Sequence, residues 1–495
     1  MSDLVRKAGI LSAADFTRLA VKTLIGIVLA RVLTQTEYGT YRQLFMIYTL
    51  MSSIFMIGLP QSVYYFVPKS EPTLQRKFLR QTLDVFTILG LLCSLILLLF
   101  RYDLARMFNN QDLTKTLLIY AFYPFFMFIS QLYYIAMIGL QQTRNAAGFT
   151  IFSVICDLLF ILGIAIATKN MTYVVAGIML SVFIQWLYAR IKLRPYTRVE
   201  NKQIYDLVLL KQQFTFSLPI GISSIIGVVT AQLDKIVISS FFSPQQFAVF
   251  AVGAAELPFI FIISNSVNSV ILPAMNQSSD RNQISALFNG AVRKNALILF
   301  PLFVFCFVFA PHIISLLYSD KYSSAVVFFR IYLLSMPMRI ATYSILFQVC
   351  NKNKYIFTIS GLILVLNVFL SILLIHIVGM KGPAISTITV TFLSVVMYLI
   401  LIRNRLKYSL SSIFPIKALV LTMLSSLTAG VVCILIIFLP VRLPIQLLVG
   451  ALIFPIVYFI FGIKFKAILD YDVSLLRNLF YESSKKLTQT LKHAR

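Results

Sequence analysis

An all-helical, polytopic membrane protein is the fold class the sequence predicts, and three observations predict it. The chain is 59% hydrophobic and only 12% charged. Its apolar residues come in blocks of about 20, enough for a helix to cross roughly 30 Å of hydrocarbon. Lys and Arg gather in every second connection between those blocks, the pattern of cytoplasmic loops. A transmembrane β-barrel would show shorter alternating segments, and none occurs. The net charge of +26 would suggest nucleic acid in a soluble protein. Here the short basic loops account for most of it, so no nucleic-acid partner is expected.

Taken in order, the blocks give about 14 spans, near residues 11–33, 43–67, 78–100, 116–139, 146–168, 172–190, 213–242, 246–274, 287–310, 327–349, 355–379, 382–402, 416–439 and 443–463. A cytoplasmic amino terminus places "LVRK", "KSEPTLQRKFLR", "QQTRN", "RIKLRPYTRVENKQIYDLVLLK", the stretch from "SSDRNQ" to "VRK", "NKNK", "RNRLKYSLSSIFPIK" and the tail inside. About 29 of the 43 Lys and Arg then lie inside and about 9 outside. Both termini are therefore expected in the cytoplasm. No loop exceeds roughly 25 residues, so no sizeable extramembrane domain fits between spans. "MSDLVRKAGILSAADFTRLA" lacks a signal-peptide core. Cys93, Cys156, Cys306, Cys350 and Cys433 are scattered without a CxxC pair, and read as buried thiols rather than a disulfide or metal framework. His312, His376 and His493 are equally dispersed. No metal site and no cofactor are expected beyond a coupling ion, H+ or Na+. Prolines inside spans, Pro60, Pro124, Pro219, Pro258, Pro301, Pro337 and Pro455, read either as hinges or as fixed kinks.

The chain also repeats itself. "TLIGIVLARVLTQTEYGTYRQ" (23–43) aligns without gaps on "QLDKIVISSFFSPQQFAVFAV" (232–252), matching Ile27-Val28 to Ile236-Val237, Leu33 to Phe242, Tyr38 to Phe247 and Tyr41 to Phe250. The offset is an even number of spans, so both copies share one orientation. Such parallel repeats give two lobes with a binding site at the midplane. The expected division is a six-helix lobe at 1–191, a basic cytoplasmic linker at 192–212, a second six-helix lobe at 213–402, two added helices at 403–463 and a cytoplasmic tail at 464–495. In that tail Leu469, Val473, Leu476, Phe480, Leu487 and Leu491 recur at helical spacing opposite Lys and Arg, as in an amphipathic helix lying on anionic lipid.

"VLARVLTQTEYGTYRQLFMIYTLMSSIFMIGLPQSVYYFVPK" resembles the opening two helices of bacterial polysaccharide exporters of the Wzx type. Their superfamily also holds the lipid II flippases and the MATE drug exporters. "QLDKIVISSFFSPQQFAVFAVGAAELP" resembles the family's seventh and eighth helices. The likeness covers roughly residues 1–400. It implies a transporter that moves an undecaprenyl-diphosphate-linked oligosaccharide, the repeat unit of an O-antigen, capsule or exopolysaccharide, from the cytoplasmic to the periplasmic leaflet by alternating access. It further implies the bacterial inner membrane, and a polysaccharide polymerase and chain-length proteins as partners beside membrane lipids. The lipid II branch also has a cationic first helix, which "FTRLAVK" echoes, but Lys22 is followed here by Thr23, which favours the exporter branch. By the same resemblance the uncharged last two spans form a groove for the polyprenyl tail, the alternative being a plain lipid-facing pair.

Five cations remain inside spans: Arg18, Lys22, Arg31, Lys235 and Arg339. Cations at the centre of a bilayer cost about 2.5–3.5 kcal/mol each on insertion scales. Asp15, Arg18 and Lys22 follow an i, i+3, i+7 spacing and share one helix face. Lys22 lies near the midplane, too deep to snorkel easily, and predicts a cationic cavity wall. The competing reading is an Asp15–Arg18 pair with a snorkelling lysine. Arg31 is close enough to the outer interface to snorkel. Arg18, Lys22, Lys235 and Arg339 are the candidate substrate-binding cations; Asp157, Asp234 and Glu256 are candidate coupling or cavity acids. Gln61, Tyr64, Gln131, Gln232 and Asn268 are candidate sugar contacts, with interhelical hydrogen bonding as the alternative for each. The chemistry fits a diphosphate, whose charges need replacement for lost water. A MATE-like exporter of organic cations would instead predict about 12 spans and an acid-dominated cavity. A membrane polymerase or ligase would need a large outer loop, and none is long enough, so no enzymatic activity is expected.

Overall fold

A computed structural model of the chain describes residues 2–198, 206–255, 271–278, 280–472 and 474. Every regular element among them is helical. The chain divides into two compact units, one of residues 1–255 with 360–387 and one of 256–359 with 388–495.

The first unit opens with α1 (Ser2–Val32), α2 (Gln35–Met56) and α3 (Leu59–Phe66). Thr34 caps α2 in a reciprocal box with Glu37, satisfying two of the donors a helix start leaves open. The chain bends by 51° between α2 and α3, where Ile57 (φ 37°) and Gly58 (φ 69°) are both left-handed. Then come α4 (Pro72–Leu99), α5 (Arg101–Met107), α6 (Asp112–Tyr120) and α7 (Tyr123–Gly139). A bend of 42° separates α6 from α7, just before Pro124. α8 (Thr143–Cys156) runs into a π-helical turn, Asp157–Leu162, and continues as α9 (Gly163–Thr168). α10 (Met171–Thr197), the 35-residue α11 (Leu207–Phe241) and α12 (Pro244–Gly253) complete the series. Leu59, Val63, Phe78, Leu79, Phe86, Phe128 and Leu132 form the core of this unit.

The two repeat copies end in the same turn chemistry. Ser243 and Gln246 form a capping box at the start of α12, at the positions aligned with Thr34 and Glu37. The two capped helices then pack against each other, closely enough that a Cβ on Gly39 would lie 2.0 Å from the Pro244 carbonyl oxygen. α11 is tied to the preceding helices along its length. Gln43 Nε2 donates to Ser239 Oγ (2.7 Å), and Asn110 Nδ2 donates to Gln43 Oε1 (2.6 Å) and Thr40 Oγ1 (2.9 Å). About a third of the way along it, a Cβ on Gly58 would sit 2.6 Å from the Ser217 carbonyl oxygen. Nearer its start, Gln213 Nε2 donates to Ser62 Oγ (3.0 Å) and Thr82 Oγ1 (3.1 Å).

Asp206 caps α11, accepting from the N–H groups of Val208 and Leu209, and receives a hydrogen bond from Lys77 Nζ at 3.1 Å. The Leu209 N–H and then Lys77 hold its carboxyl below the usual range. A depressed native pKa gives stability that is full at neutral pH and lost as pH falls from about 4 through the native value. Asp206→Ala is therefore expected to lower the melting temperature of the purified protein most near neutral pH. The deficit should shrink in acid, and a pH-independent deficit would deny the carboxylate any ionic role.

In the second unit, α13 (Arg281–Val308), α14 (Ala310–Tyr318), α15 (Ala325–Leu333) and α16 (Ser344–Val349) lead into α17 (Lys354–Val378) and α18 (Gly382–Arg405), which contribute to both units. The chain reverses between α17 and α18. Ser386 Oγ donates to Asn367 Oδ1 at 2.8 Å, whereas a continuous helix would hold residues that far apart in sequence about 28 Å from each other. Left-handed Gly379 (φ 63°) makes the turn. α19 (Leu410–Ile413), α20 (Ile416–Ile437) and α21 (Leu443–Lys464) follow. α20 and α21 meet α13 and α14 through small residues, Gly430 against Val304 and Gly450 against the Phe309 ring, as membrane helices do where backbones approach closely. The Arg293 guanidinium is forked onto the Asp472 carboxylate and also reaches the Ala467 carbonyl.

Nine helices among the described residues are long and apolar enough to cross a membrane, or eleven if each bent pair is one span. α1 is absent from that set because Asp15, Arg18, Lys22 and Arg31 interrupt its apolar stretch, and α17 with α18 enters it as one 52-residue stretch. The chain is a multi-pass helical membrane protein. All five cysteines are free thiols, four of them buried. The predicted amphipathic tail lies outside the described residues from 475 onward.

Candidate functional site

A cavity of about 810 Å³ opens inside the first unit. Its lining follows from helix periodicity. α1 contributes Arg18, Lys22 and Ile25, and α2 contributes Tyr41, Phe45, Tyr48, Ser52 and Met56, each set repeating at three or four residues along one face. α7 adds Tyr123, Met127, Gln131 and Tyr134 in the same way, and α8 with its π turn adds Phe149, Ser153, Asp157 and Ile161. Gln61 and Tyr64 of α3, Gln185 of α10, and Ser224 and Val228 of α11 close the wall.

Among the described residues three cations face this space, Arg18, Lys22 and Arg42, against one lining carboxylate, Asp157. Arg18 is partly engaged on its own helix. Its guanidinium pairs with Asp15 at 3.0 Å and lies 5.2 Å from the Tyr134 ring centroid, while Tyr134 donates to the other Asp15 oxygen at 2.8 Å. Arg18 therefore both pairs with Asp15 and lines the cavity. Lys22, one turn deeper, makes no hydrogen bond or ion pair among the described residues. Asp157 is its principal charged neighbour of opposite sign, with Arg18 as a like charge. Asp157 itself is held by Ser181 Oγ at 2.6 Å and Gln185 Nε2 at 3.1 Å. It opens the π turn, where widened helix geometry frees backbone groups and often marks a working site. The site thus has one anchored acid, one pre-paired arginine and one lysine with unspent hydrogen-bonding capacity.

Residues 28–327 match the family described as polysaccharide biosynthesis protein. The chain belongs to that family. Its fold is that of MOP-superfamily transporters. The lipid II flippase MurJ in its inward closed conformation is similar with a TM-score of 0.75 at 16% identity, over 92% of this chain and 98% of that one. An inward-facing multidrug resistance MATE family transporter is similar with a TM-score of 0.61 at 13% identity, over 79% and 94%. A MOP superfamily transporter from Pyrococcus furiosus, described as having a binding pocket of reverse polarity, follows with 0.53 at 13% identity, over 81% and 96%. No curated protein matches the chain at a significant level.

Within this polysaccharide biosynthesis protein, the residues singled out from sequence fall in several places. Arg18, Lys22, Asp157, Gln61, Tyr64 and Gln131 come together in the cavity lining. Gln232, Asp234 and Lys235 lie further along α11, outside that lining. Asp234 is buried and accepts the Lys235 N–H at 2.7 Å, and Lys235 Nζ donates to the Ala231 carbonyl at 3.2 Å. Arg339 sits in the second unit, in the short 3-10 turn Met336–Ile340. Glu256 and Asn268 lie outside the described residues. Arg42 is not among the intramembrane cations read from sequence, because it follows the turn at Thr34 so closely that it reads as a loop charge. Its spacing from Phe45 and Thr49, three and seven residues on, was the available signal. No group of His, Cys, Asp and Glu suited to a metal ion occurs among the described residues.

Proposed function

We propose that this protein flips an undecaprenyl-diphosphate-linked oligosaccharide from the cytoplasmic to the periplasmic leaflet of a bacterial inner membrane. The observation that carries the reading is the cavity's charge. Three lining cations and one lining carboxylate leave a formal excess of two positive charges. A diphosphate brings about two negative charges and must give up water to cross, and preorganised cations are the groups that replace that hydration. Tyrosine rings with Gln61, Gln131 and Gln185 offer the mixed apolar and hydrogen-bonding surface that sugar rings use. Membership of a polysaccharide biosynthesis family supports a lipid-linked glycan as cargo.

The same reading includes both termini in the cytoplasm, about 14 spans and two repeat-related lobes acting by alternating access. Thr40, Gln43 and Asn110 then form an outer seal, and the substrate enters from the inner side. A polymerase and chain-length proteins would receive the product. An organic-cation exporter fits less well, since its cargo would be repelled by the cationic excess.

Purified protein in liposomes is the direct test. It should move a fluorescent undecaprenyl-diphosphate glycan between leaflets, but not the same glycan on an uncharged polyprenyl carrier. Equal movement of both, or of neither, would reject the diphosphate as the recognised group.

A further inference from the structure

The second unit carries a cavity of its own, an open groove of about 520 Å³. Three segments remote in sequence form it: the stretch from Met275 into the first turn of α13, the exit of α16 and the exit of α18. Arg281, Lys352, Arg405 and Lys407 all line it, and among the described residues no acidic one does. Cytoplasmic loops collect cations in any case, which explains their number. It does not explain their convergence on one groove free of carboxylates.

The frame is hydrogen-bonded, and two of the cations build it. The Arg281 guanidinium donates to the Leu406 carbonyl and lies 4.7 Å from the Tyr408 ring centroid. Lys352 Nζ donates to the Arg405 carbonyl at 2.8 Å. Left-handed Asn351 (φ 52°) and Lys407 (φ 60°) close the two helix ends, with Lys352 N–H bonded to Phe347 O at 2.8 Å and Tyr408 N–H to Ile402 O at 3.3 Å. Arg405 and Lys407 are exposed and make no side-chain hydrogen bond or ion pair among the described residues. The nearby Asp280 carboxylate is occupied at the start of α13, accepting the Asn282 N–H at 2.9 Å. The groove therefore offers two unspent cations beside two fixed ones, over an apolar floor that includes buried Met275 and Ile284.

Planar guanidinium and ammonium groups converging on one spot suit a tetrahedral oxyanion. On a membrane protein's cytoplasmic rim, the abundant oxyanion with an apolar neighbour is a phospholipid phosphate. We propose that this groove binds the phosphate of an anionic phospholipid in the inner leaflet, separately from the transport cavity. The leaflet rests on the orientation proposed above; the binding itself does not.

The test uses full-length protein in detergent and counts retained phosphatidylglycerol against phosphatidylcholine by native mass spectrometry. Arg405→Ser with Lys407→Ser should lower phosphatidylglycerol retention by about tenfold, through loss of two charge-assisted contacts, without changing the melting curve. Lys192→Ser with Arg194→Ser, equally cationic but outside the groove, should retain the lipid like wild type. Soluble glycerol 3-phosphate at millimolar concentration should not displace the lipid. Unchanged retention in the groove variant, or an equal loss in the control pair, would overturn the site. Full displacement by glycerol 3-phosphate would overturn the lipid as its occupant.

Discussion

Lys22→Glu is expected to abolish transport while leaving the protein at normal abundance in the membrane. Lys22 faces the cavity from the middle of α1 and is the lining lysine with no hydrogen bond or ion pair among the described residues. Removing its charge as Lys22→Ala deletes one charge-assisted contact, worth about 1.5–3 kcal/mol, or about ten- to hundredfold in transport efficiency. Glutamate goes further. It turns three lining cations and one carboxylate into two of each, so the excess positive charge disappears and a new acid faces both Asp157 and the diphosphate of the proposed substrate. Lys22→Arg should keep part of the activity, as a cation of different shape. Arg31→Ala should be mild, because that position can reach the outer interface. Surface polysaccharide in a flippase-deficient strain, with membrane protein measured in parallel, reads the outcome. Normal export by Lys22→Glu would show that this lysine never meets the substrate.

Periodicity made much of the fold legible. The apolar blocks marked the helices, and the Thr34–Glu37 and Ser243–Gln246 boxes sit where the repeat alignment put its two turns. The face carrying Asp15, Arg18 and Lys22 was visible because charge in an apolar stretch is costly and three such residues at helical spacing cannot be accidental loop charges. Other features were not legible because they depend on partners far away in sequence. Asp157 was recognisable as an acid inside a span, but its anchors, Ser181 and Gln185, belong to another helix, and nothing in "ICDLLFIL" announces a π turn. Arg42 hid beside a turn. The cationic groove of the second unit joins three short segments whose cations each look like ordinary loop charge. Span number is similarly ambiguous from composition alone, since α1 is too charged and the α17–α18 pair too continuous to be counted simply.

Gly39→Val should be the most damaging substitution away from the cavity, and Gly227→Ala its harmless counterpart. A Cβ at Gly39 would lie 2.0 Å from the Pro244 carbonyl oxygen, far inside van der Waals contact. The Cβ position is fixed by the α2 backbone and the Pro244 oxygen by the α12 backbone, so no rotamer change relieves the contact and α2 must move away from α12. Overpacking of this kind costs about 1–3 kcal/mol. The displacement also pulls on the buried network one turn further along, where Gln43 meets Ser239 at 2.7 Å and Asn110 at 2.6 Å. Leaving such groups buried without partners adds about 1–3 kcal/mol. At Gly227, on α11, nothing lies within 4 Å of the added Cβ, and alanine favours the helix by up to about 1 kcal/mol. Gly39→Val should therefore melt several degrees lower and lose transport. A cysteine placed at cavity-lining Ser52 should then react faster with an external thiol reagent, because the proposed outer seal no longer closes. Gly227→Ala should melt at or above the wild-type temperature and transport normally. If the two variants behave alike, the contact between α2 and α12 is not a seal, and the outer end of the cavity must close elsewhere.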